Sequence, residues 1–454
     1  MLYLLLSYGC KAGFHISYKR TLSALKENGA RSLLRKVKDA GFDCVVLDFK
    51  TVRGEVGVPF SHPMADSTRA YSGDIRPMAM EARRMGLYVV GRITVFNDPL
   101  LFKALGKGYR GFVFPGDSVV LSYNRAVVEA TLPYVDEIQL DYVRWPDASV
   151  GVEVEERRAK LLPALREILK PVPDSVPTSA DIFGRIPFRY RGWWDRIGQD
   201  IFTYGEIFDV LSPMAYPSHY WGVLLNPYQA PYQTLMSMRM FGFPAGRIRV
   251  WLQAFGWRVP KSIGLKRYIL RQMEATYDAG VDMRMFWMPK NDTLIEAYGE
   301  WAPPPPFDGG EVIATAYRNL PSDSLLTLSK RTYGKVMDVY LMRGGWVLRF
   351  WWSPVSRKVT FNDYPITYRV IEGEGVAFLY VREEWPWLKE ATNSVILIYA
   401  GAWDVKDGRR NYTAVWEGEP PARVELLSDG DRYVFRVLNE GGEVIARSRT
   451  FRLW

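Results

Sequence analysis

Eight short apolar segments, each followed by a stretch with helical periodicity, constrain the fold of this chain more than any other feature. The segments are residues 13–17, 44–50, 87–96, 137–146, 176–183, 209–217, 248–255 and 283–289. Apolar side chains recur every three or four residues in the stretches between them, as in amphipathic helices. Repeated strand–helix units of this number predict an α/β fold, a (β/α)8 TIM barrel over residues 12–300.

The composition changes after the eighth repeat. Trp301 and Ala302 precede four consecutive prolines, which cannot continue a helix and predict a stiff linker over residues 301–310. Strand-like runs separated by Gly, Asp, Asn and Pro then predict a smaller all-β, sandwich-like accessory domain over residues 311–454. Candidates for sugar contact in this domain are Trp346, Trp351 and Trp352. Aromatic side chains of this kind more often belong to a core.

Charge and composition exclude several classes of partner. The net charge of +9 first suggests nucleic acid, but Lys and Arg alternate with Asp and Glu and form no basic run, so no nucleic-acid partner is expected. No apolar run approaches the roughly 20 residues of a membrane span. Two cysteines and three histidines form no cluster with metal-ligand spacing, and neither a metal nor another cofactor is expected.

The first ten residues are apolar, but no basic segment precedes them and they are short for the apolar region of a signal peptide. Gly9 and Cys10 resemble a lipoprotein cleavage site. A short leading strand or a truncated signal explains the same residues equally well. Localisation therefore stays open, with a slight preference for an extracytoplasmic or cell-envelope position.

The fourth segment, residues 137–146, ends in a cluster of polar groups. Side chains alternate along a strand, which predicts Gln139 and Asp141 on one face and Tyr142 with the apolar residues on the other. Polar side chains on an inner face are costly to bury unless that face lines a site. Arg144 follows Asp141 by three residues, at the strand end where barrel enzymes carry their functional groups.

The ends of all eight segments together give a ring of polar and aromatic side chains. The candidate catalytic residues are Asp141 and Asp181, and the candidate substrate-binding residues are Asp48, Lys50, Arg92, Gln139, Arg144, Tyr216, His219, Gln253 and Trp287. Each acid–base pair alone suits a structural ion pair as well as catalysis, but their convergence at one rim favours function. Asp98 is expected to cap the turn that follows it.

Two carboxylates between aromatic walls are what glycosidic cleavage requires. If Asp141 meets Arg144 in space, the cation favours the ionised form that a nucleophile or base needs. Asp181 has apolar neighbours in sequence, and such a setting raises the pKa of a carboxyl group and suits a general acid. His219 is an alternative acid or substrate donor, or a loop histidine bonded to the backbone.

Six segments together resemble a family of glycoside-hydrolase-like proteins, predicted (β/α)8 barrels distantly related to the family 13 and family 18 glycosidases. The segments are residues 46–50, 91–99, 137–146, 179–184, 212–220 and 249–255. The resemblance implies a hydrolase that cleaves O-glycosyl bonds in an oligo- or polysaccharide. The fourth strand is also similar to that of family 18 chitinases, but Val143 stands at the position of their acid glutamate. This difference indicates a pair formed by Asp141 and an acid from another strand.

Two other functions compatible with the sequence are a catalytically inactive carbohydrate-binding barrel and a scaffold protein. The inactive barrel would keep the aromatic residues without a workable carboxylate pair. The scaffold would act through its β domain. The separation of the carboxyl groups distinguishes the enzyme from the inactive barrel.

Overall fold

The computed structural model describes residues 9–148, 150–188, 196–220, 226–240, 243–287 and 291–317, the strands between residues 337 and 417, and residues 423–439, 441–447 and 450–452. The apolar start, residues 1–8, lies outside the described residues. The chain divides into two compact units, one of Met1–Leu235 with Pro244–Ala302 and one of Met236–Phe243 with Pro303–Trp454. Within the described residues, no helix combines the length and apolarity needed to cross a membrane.

The first unit contains a closed barrel of eight parallel strands that pair in chain order. The strands are β1 (Ala12–Ile16), β2 (Cys44–Lys50), β3 (Tyr88–Thr94), β4 (Glu137–Asp141), β5 (Thr178–Phe183), β6 (Val210–Met214), β7 (Val250–Gln253) and β8 (Arg284–Trp287). Pairing of β8 with β1 closes the barrel. Each strand overlaps one of the eight predicted segments, and the predicted (β/α)8 barrel is confirmed.

Helices connect and follow the strands. They are α1 (Tyr18–Lys26), α2 (Ala30–Asp39), α3 (Ala65–Thr68), α4 (Arg76–Arg84), α5 (Pro99–Leu105), α6 (Ser118–Thr131), α7 (Val154–Leu169), α8 (Ile201–Ile207), α9 (Gln229–Met240), α10 (Leu265–Asp278) and α11 (Asn291–Gly299). Short 3-10 helices cover Leu132–Tyr134, Ile186–Phe188, Pro217–His219 and Ala245–Arg247.

Local sequence accounts for where these helices begin and end. Asp117 and Asp200 accept backbone N–H bonds at the starts of α6 and α8. Asp98 Oδ1 accepts a bond of 2.9 Å from the N–H of Leu101, so the predicted cap before α5 is confirmed. Helix α2 is followed by Gly41, whose φ of 93° lies in the left-handed region that glycine adopts without a Cβ clash.

The backbone turns sharply where β4 ends. Tyr142 has a φ of 51°, in the left-handed region, and this breaks the strand alternation. The alternation along the strand predicted Tyr142 on the face opposite Asp141. This prediction is wrong, because the Tyr142 side chain lines the same cavity as Asp141. The next residues are held firmly, because the Val143 carbonyl accepts a bond from the Tyr204 hydroxyl and the Trp145 indole donates to the Arg157 carbonyl at 3.0 Å.

A buried ion pair lies at the opposite, amino-terminal end of the strands. Glu137, the first residue of β4, accepts bonds from the Arg249 guanidinium and from the Ser179 hydroxyl, the latter at 2.5 Å. Glu137 and Arg249 are both fully buried. Nearby, Cys10 and Cys44 form a disulfide bond just before β1 and at the start of β2. Neither the ion pair nor the disulfide bond follows from the sequence patterns.

The second unit contains β-strands in its described part. They are β9 (Glu311–Tyr317), β10 (Met337–Arg343), β11 (Trp346–Ser353), β12 (Lys358–Phe361), β13 (Tyr364–Ile366), β14 (Tyr368–Gly373), β15 (Val376–Val381), β16 (Val395–Ala400), β17 (Tyr412–Glu417), β18 (Arg423–Asp429), β19 (Arg432–Leu438), β20 (Val444–Arg447) and β21 (Phe451–Arg452). β18 pairs antiparallel with both β9 and β19 and forms the centre of a small sheet. The side chains of Trp346, Trp351 and Trp352 lie outside the described part.

Candidate active site

A cavity of about 380 Å³ lies at the carboxyl ends of the barrel strands. Seven of the predicted site residues line it, namely Arg92, Asp141, Arg144, Asp181, Tyr216, His219 and Trp287. These residues are far apart in sequence, but each lies near the carboxyl end of a strand or in the loop that follows it. The barrel therefore brings them to one place, as the rim of such a fold does in general.

Arg92, near the end of β3, is the centre of the polar floor of this cavity. Its Nη1 contacts Asp48 Oδ1 at 2.6 Å, and its Nη2 donates to Asp141 Oδ2. Its Nε lies 3.5 Å from Asp181 Oδ2. The guanidinium also lies 4.4 Å from the centre of the Trp287 ring. Three carboxylates from β2, β4 and β5 thus share one buried cation.

The three carboxylates differ in their other partners. Asp48 lies 3.1 Å from His15 Nε2, and His15 stacks on Trp287 with ring centres 4.1 Å apart. Asp181 Oδ1 accepts a bond of 2.7 Å from the indole of Trp251. Asp141 Oδ1 accepts one of 2.5 Å from the backbone N–H of Tyr142. The cluster is thus anchored by side chains from β1, β7 and β8 as well.

Burial and these contacts separate the acids into two kinds. Burial alone would raise the pKa of Asp48, but the charges of His15 and Arg92 hold it well below its ordinary value. Burial raises the pKa of Asp181 well above its ordinary value, and the negative charge on Asp141 raises it further, against the lowering effect of Arg92. Asp181 consequently keeps its proton at a pH where an ordinary aspartate has lost it.

Arg144 does not pair with Asp141, although the two are three residues apart. The Arg144 guanidinium lies among the rings of Phe183, Tyr142 and Phe112, at 4.7, 4.9 and 5.0 Å from their centres. The left-handed turn at Tyr142 directs the chain this way, and Asp141 is bound by Arg92 instead. The sequence-based pairing is replaced by one between neighbouring strands.

Four predicted site residues do not line the cavity. Asp48 is one of them, and it contacts Nη1 of Arg92. Lys50 is fully buried, where its Nζ contacts Asn124 Oδ1 at 2.7 Å and Asp98 Oδ2 at 2.8 Å. Its position joins β2 to the start of α5 and to α6. The predicted role of Lys50 in substrate binding has no contact with the cavity to support it.

The two glutamines are also held away from the cavity. Gln139 is buried in the barrel interior, with its Nε2 at 3.4 Å from the Ser212 hydroxyl. Gln253 accepts a bond of 3.1 Å from the N–H of Ser218 and donates to the Trp257 carbonyl at 2.8 Å. Gln253 thus shapes the loops that carry the rim residues.

Tyr216 and His219 form the wall on the β6 side. Burial raises the pKa of the Tyr216 hydroxyl well above its ordinary value, and the charges of Asp181 and Asp141 raise it further. Burial lowers the pKa of His219, and the positive charges of Arg185 and Arg258 lower it further. Both side chains therefore act as neutral hydrogen-bonding groups near pH 7.

Sequence analysis missed His15 and Trp251, which orient Asp48 and Asp181. The sequence holds a usable signal for Trp251. It lies two residues before Gln253 on β7 and so shares its face, as Gln139 shares a face with Asp141 on β4. Ligand-type side chains also meet at Cys10, Asp43 and Cys44 in the described residues. The disulfide occupies both sulfurs there, and Asp43 accepts backbone N–H bonds, so this group is structural.

The sequence matches a family model described as "Putative glycosyl hydrolase domain" over residues 15–292. The chain belongs to this family. No curated protein sequence matches the chain. The matched residues include all eight strands except the first residues of β1. They also include every residue that lines the cavity.

Solved structures similar to the chain are barrels of the glycoside hydrolase type. The PgaB (BpsB) glycoside hydrolase domain from Bordetella bronchiseptica has 14% sequence identity and a TM-score of 0.51, over 64% of this chain and 99% of that chain. The spore cortex-lytic enzyme SleL from Bacillus cereus has 10% identity and a TM-score of 0.41, over 65% and 75%. The chitinase RmChi1 from Rhizomucor miehei has 13% and 0.40, over 64% and 99%. At these identities the similarity concerns the fold alone.

Proposed function

We propose that the barrel cleaves glycosidic bonds in an oligo- or polysaccharide, with Asp181 as general acid and Asp141 as nucleophile. The observation that carries this proposal is the unequal pair of carboxyl groups around Arg92. Burial and the charge of Asp141 raise the pKa of Asp181, which therefore holds a proton. Two acids with different protonation states are the chemical requirement of glycoside hydrolysis.

In the proposed reaction the Asp181 carboxyl group gives its proton to the glycosidic oxygen, and the leaving sugar departs as an alcohol. The Asp141 carboxylate attacks the anomeric carbon and forms a glycosyl ester. The Asp181 carboxylate then takes a proton from a water molecule. The water oxygen attacks the anomeric carbon, breaks the ester bond, and releases the sugar and the Asp141 carboxylate. Trp287 and Tyr216 supply aromatic surface in the same cavity.

The contacts of both acids with one guanidinium favour retention of the anomeric configuration. Retaining enzymes hold the two carboxyl groups roughly 5–5.5 Å apart, whereas inverting enzymes need roughly 6.5–9.5 Å to admit a water molecule. Carboxylates that contact Nη2 and Nε of the same arginine are close neighbours. We therefore expect the first sugar released to have the configuration of the substrate, measured by NMR before mutarotation.

We further propose that the strands after residue 310 form a sandwich-like accessory domain that binds the glycan. The support is the small antiparallel sheet of β9, β18 and β19, with a core of Phe307, Leu427 and Val434. Residues Trp346, Trp351 and Trp352 are the proposed sugar contacts. Replacing all three by Ala should weaken binding of a long polysaccharide and leave turnover of a short oligosaccharide unchanged.

The deciding experiment is a screen of the full chain for release of reducing sugars from a panel of oligo- and polysaccharides. Asp181→Asn should lower turnover by roughly 10²–10⁴-fold, because it removes the transferable proton. Asp141→Asn should lower it at least as much. Asp174→Asn, at an exposed acid, is the matched control and should keep full activity. Near-full activity of either cavity variant would show that its assigned role is wrong.

One observation favours a second function, a carbohydrate-binding barrel without catalysis. A valine, Val143, stands at the position of the chitinase acid glutamate and is fully buried, so this position supplies no carboxylate. The inactive barrel would bind sugar in the cavity and hydrolyse none of the panel. Binding that persists unchanged in both Asn variants, together with no release by the parent chain, would favour it over the hydrolase.

A further inference from the structure

Arg144 is half-buried and, unlike Arg92 and Arg249, has no anionic partner among the described residues. Its guanidinium donates one hydrogen bond, 3.0 Å long, to the carbonyl of Trp145. No carboxylate of a described residue lies within ion-pair distance of it, and three aromatic rings surround it. A guanidinium carries five N–H donors, and the described residues accept a hydrogen bond from only one of its nitrogens.

The neighbouring acids are already matched to other cations. Asp141 is bound by Arg92, and Asp147 is bound by Arg196 at 3.0 Å. Asp181 holds a proton because burial raises its pKa. Burial opposes the charge of Arg144 and lowers its pKa, against the attraction of Asp141 and Asp147, and no carboxylate of a described residue forms an ion pair with it. A charge in such a partly apolar setting is stabilised when an anion pairs with it directly.

The backbone holds Arg144 in a fixed position. Val143 and Trp145 on either side are buried and hydrogen-bonded, the first to Tyr204 and the second to Arg157. Arg144 is thus mounted between two anchored residues and lines the cavity beside Asp141. A side chain ordered in advance binds a ligand at a smaller cost in conformational entropy.

We propose that Arg144 binds the carboxylate of an acidic sugar, and that the substrates of this barrel are glycans containing uronic acids. This inference deepens the proposed function and rests on it. The planar fork of a guanidinium matches the two oxygens of a carboxylate, and aromatic rings around it exclude water and strengthen the contact. Arg185 lines the same cavity and adds positive charge on the side of His219.

The test compares uronic-acid oligosaccharides with the same oligosaccharides after chemical reduction of their carboxyl groups. Affinities are measured calorimetrically on the full chain carrying Asp181→Asn, which prevents turnover during the titration. We expect the acidic oligosaccharide to bind roughly tenfold or more tightly than its reduced form. Arg144→Gln should remove this preference, Arg144→Lys should keep part of it, and Arg166→Gln, at an exposed site on α7, should keep all of it.

Each alternative result has a definite meaning. Equal affinity for both oligosaccharides, no binding of any uronic-acid oligosaccharide, or an equal loss of both affinities in Arg144→Gln would overturn the inference. A sulfated neutral oligosaccharide that binds as tightly would overturn the carboxylate assignment in favour of anions in general. Hydrolysis of neutral glycans alone would refute the acidic preference and keep the hydrolase. Arg144-dependent binding without hydrolysis of any glycan by the parent chain would refute the hydrolase and keep the anion site.

Discussion

Two buried arginines anchor ion clusters at opposite ends of the same barrel. Arg249, at the amino-terminal end, meets the single carboxylate of Glu137, and Ser179 satisfies the same oxygen. One positive and one negative charge cancel there, and both side chains are fully buried. Such a pair is balanced, because each charge has its counterion within the protein.

The cluster at the carboxyl end has a different composition. Arg92 meets three carboxyl groups, those of Asp48, Asp141 and Asp181. Arg92 alone cannot stabilise three negative charges. His15 assists it at Asp48, and a proton on Asp181 relieves the remaining excess. The difference between the two ends shows how one kind of interaction serves structure when it is balanced and chemistry when acids are in excess.

Isosteric amide substitutions at the two ends should separate these functions most clearly. Glu137→Gln leaves Arg249 as an uncompensated buried charge, and we expect it to lower the free energy of unfolding by about 3–5 kcal/mol. Turnover per folded molecule should stay unchanged. Asp181→Asn should do the reverse, with a loss of turnover and, near pH 4 where the carboxyl group is protonated, a change in stability of about 1 kcal/mol or less. Denaturant titration and glycan hydrolysis measure the two effects.

The comparison fails if both variants behave alike. A Glu137→Gln protein that is folded but inactive would mean that the amino-terminal pair takes part in catalysis. A strongly destabilised Asp181→Asn protein would mean that the Arg92 cluster is chiefly structural.

Arg92→Lys tests whether the geometry of the guanidinium matters beyond its charge. An ammonium group is a point charge and cannot contact three carboxylates in the arrangement of a planar fork. We expect a loss of about 1–3 kcal/mol in unfolding free energy, together with a large loss of turnover. Arg249→Lys is the matched control and should affect stability without affecting turnover. Retained activity in Arg92→Lys would reduce the role of Arg92 to charge alone.

The dependence of stability on pH should report the raised pKa of Asp181. The folded protein binds this proton more tightly than the unfolded chain, whose aspartates titrate near roughly 3.9. Between that value and the raised pKa, stability contributed by Asp181 falls as pH rises, by up to about 1.4 kcal/mol per pH unit. Asp181→Asn should lack this slope. A parent and variant with parallel stability curves from pH 4 to 8 would contradict the assignment.

Asp48 should contribute with the opposite sign. Its pKa is held low by His15 and Arg92, so its stabilising contribution is present above the unfolded value and decreases only in stronger acid. The parent and Asp48→Asn should therefore converge in stability as the pH falls below about 4.

The smallest effect is expected at the balanced end. Ser179→Ala removes a single hydrogen bond to Glu137, whose carboxylate keeps its contact with Arg249. We expect a loss of about 1 kcal/mol in unfolding free energy and unchanged turnover. A loss of several kcal/mol would mean that the hydroxyl is essential for burial of the ion pair.

The barrel and much of its rim were accessible from sequence because both follow from periodicity. Apolar strands alternate with amphipathic helices, and strand ends converge whatever the details of packing. Asp141, Asp181 and Arg92 therefore emerged as site residues without knowledge of their contacts, and the structure brings them together. Their catalytic and binding roles stay predictions.

The ion-pair and hydrogen-bond partners of these side chains could not be predicted from the sequence in the same way. Proximity in sequence suggested Arg144 for Asp141, but a left-handed residue between them redirects the chain, and no pattern in the sequence signals that turn. Lys50 takes its partner from α6, where Asn124 lies 74 residues away. Partners from distant segments depend on side-chain packing, which periodicity does not specify.

The Arg92 cluster has a consequence for how the strands find their alignment during folding. Arg92 belongs to β3, while its three acids belong to β2, β4 and β5. A slip of β3 by one residue would turn Arg92 towards the helices and leave those acids facing one another in an apolar interior. Misaligned barrels would thus carry a large electrostatic penalty that the aligned barrel avoids. The residues proposed for hydrolysis would also specify the register in which the barrel closes.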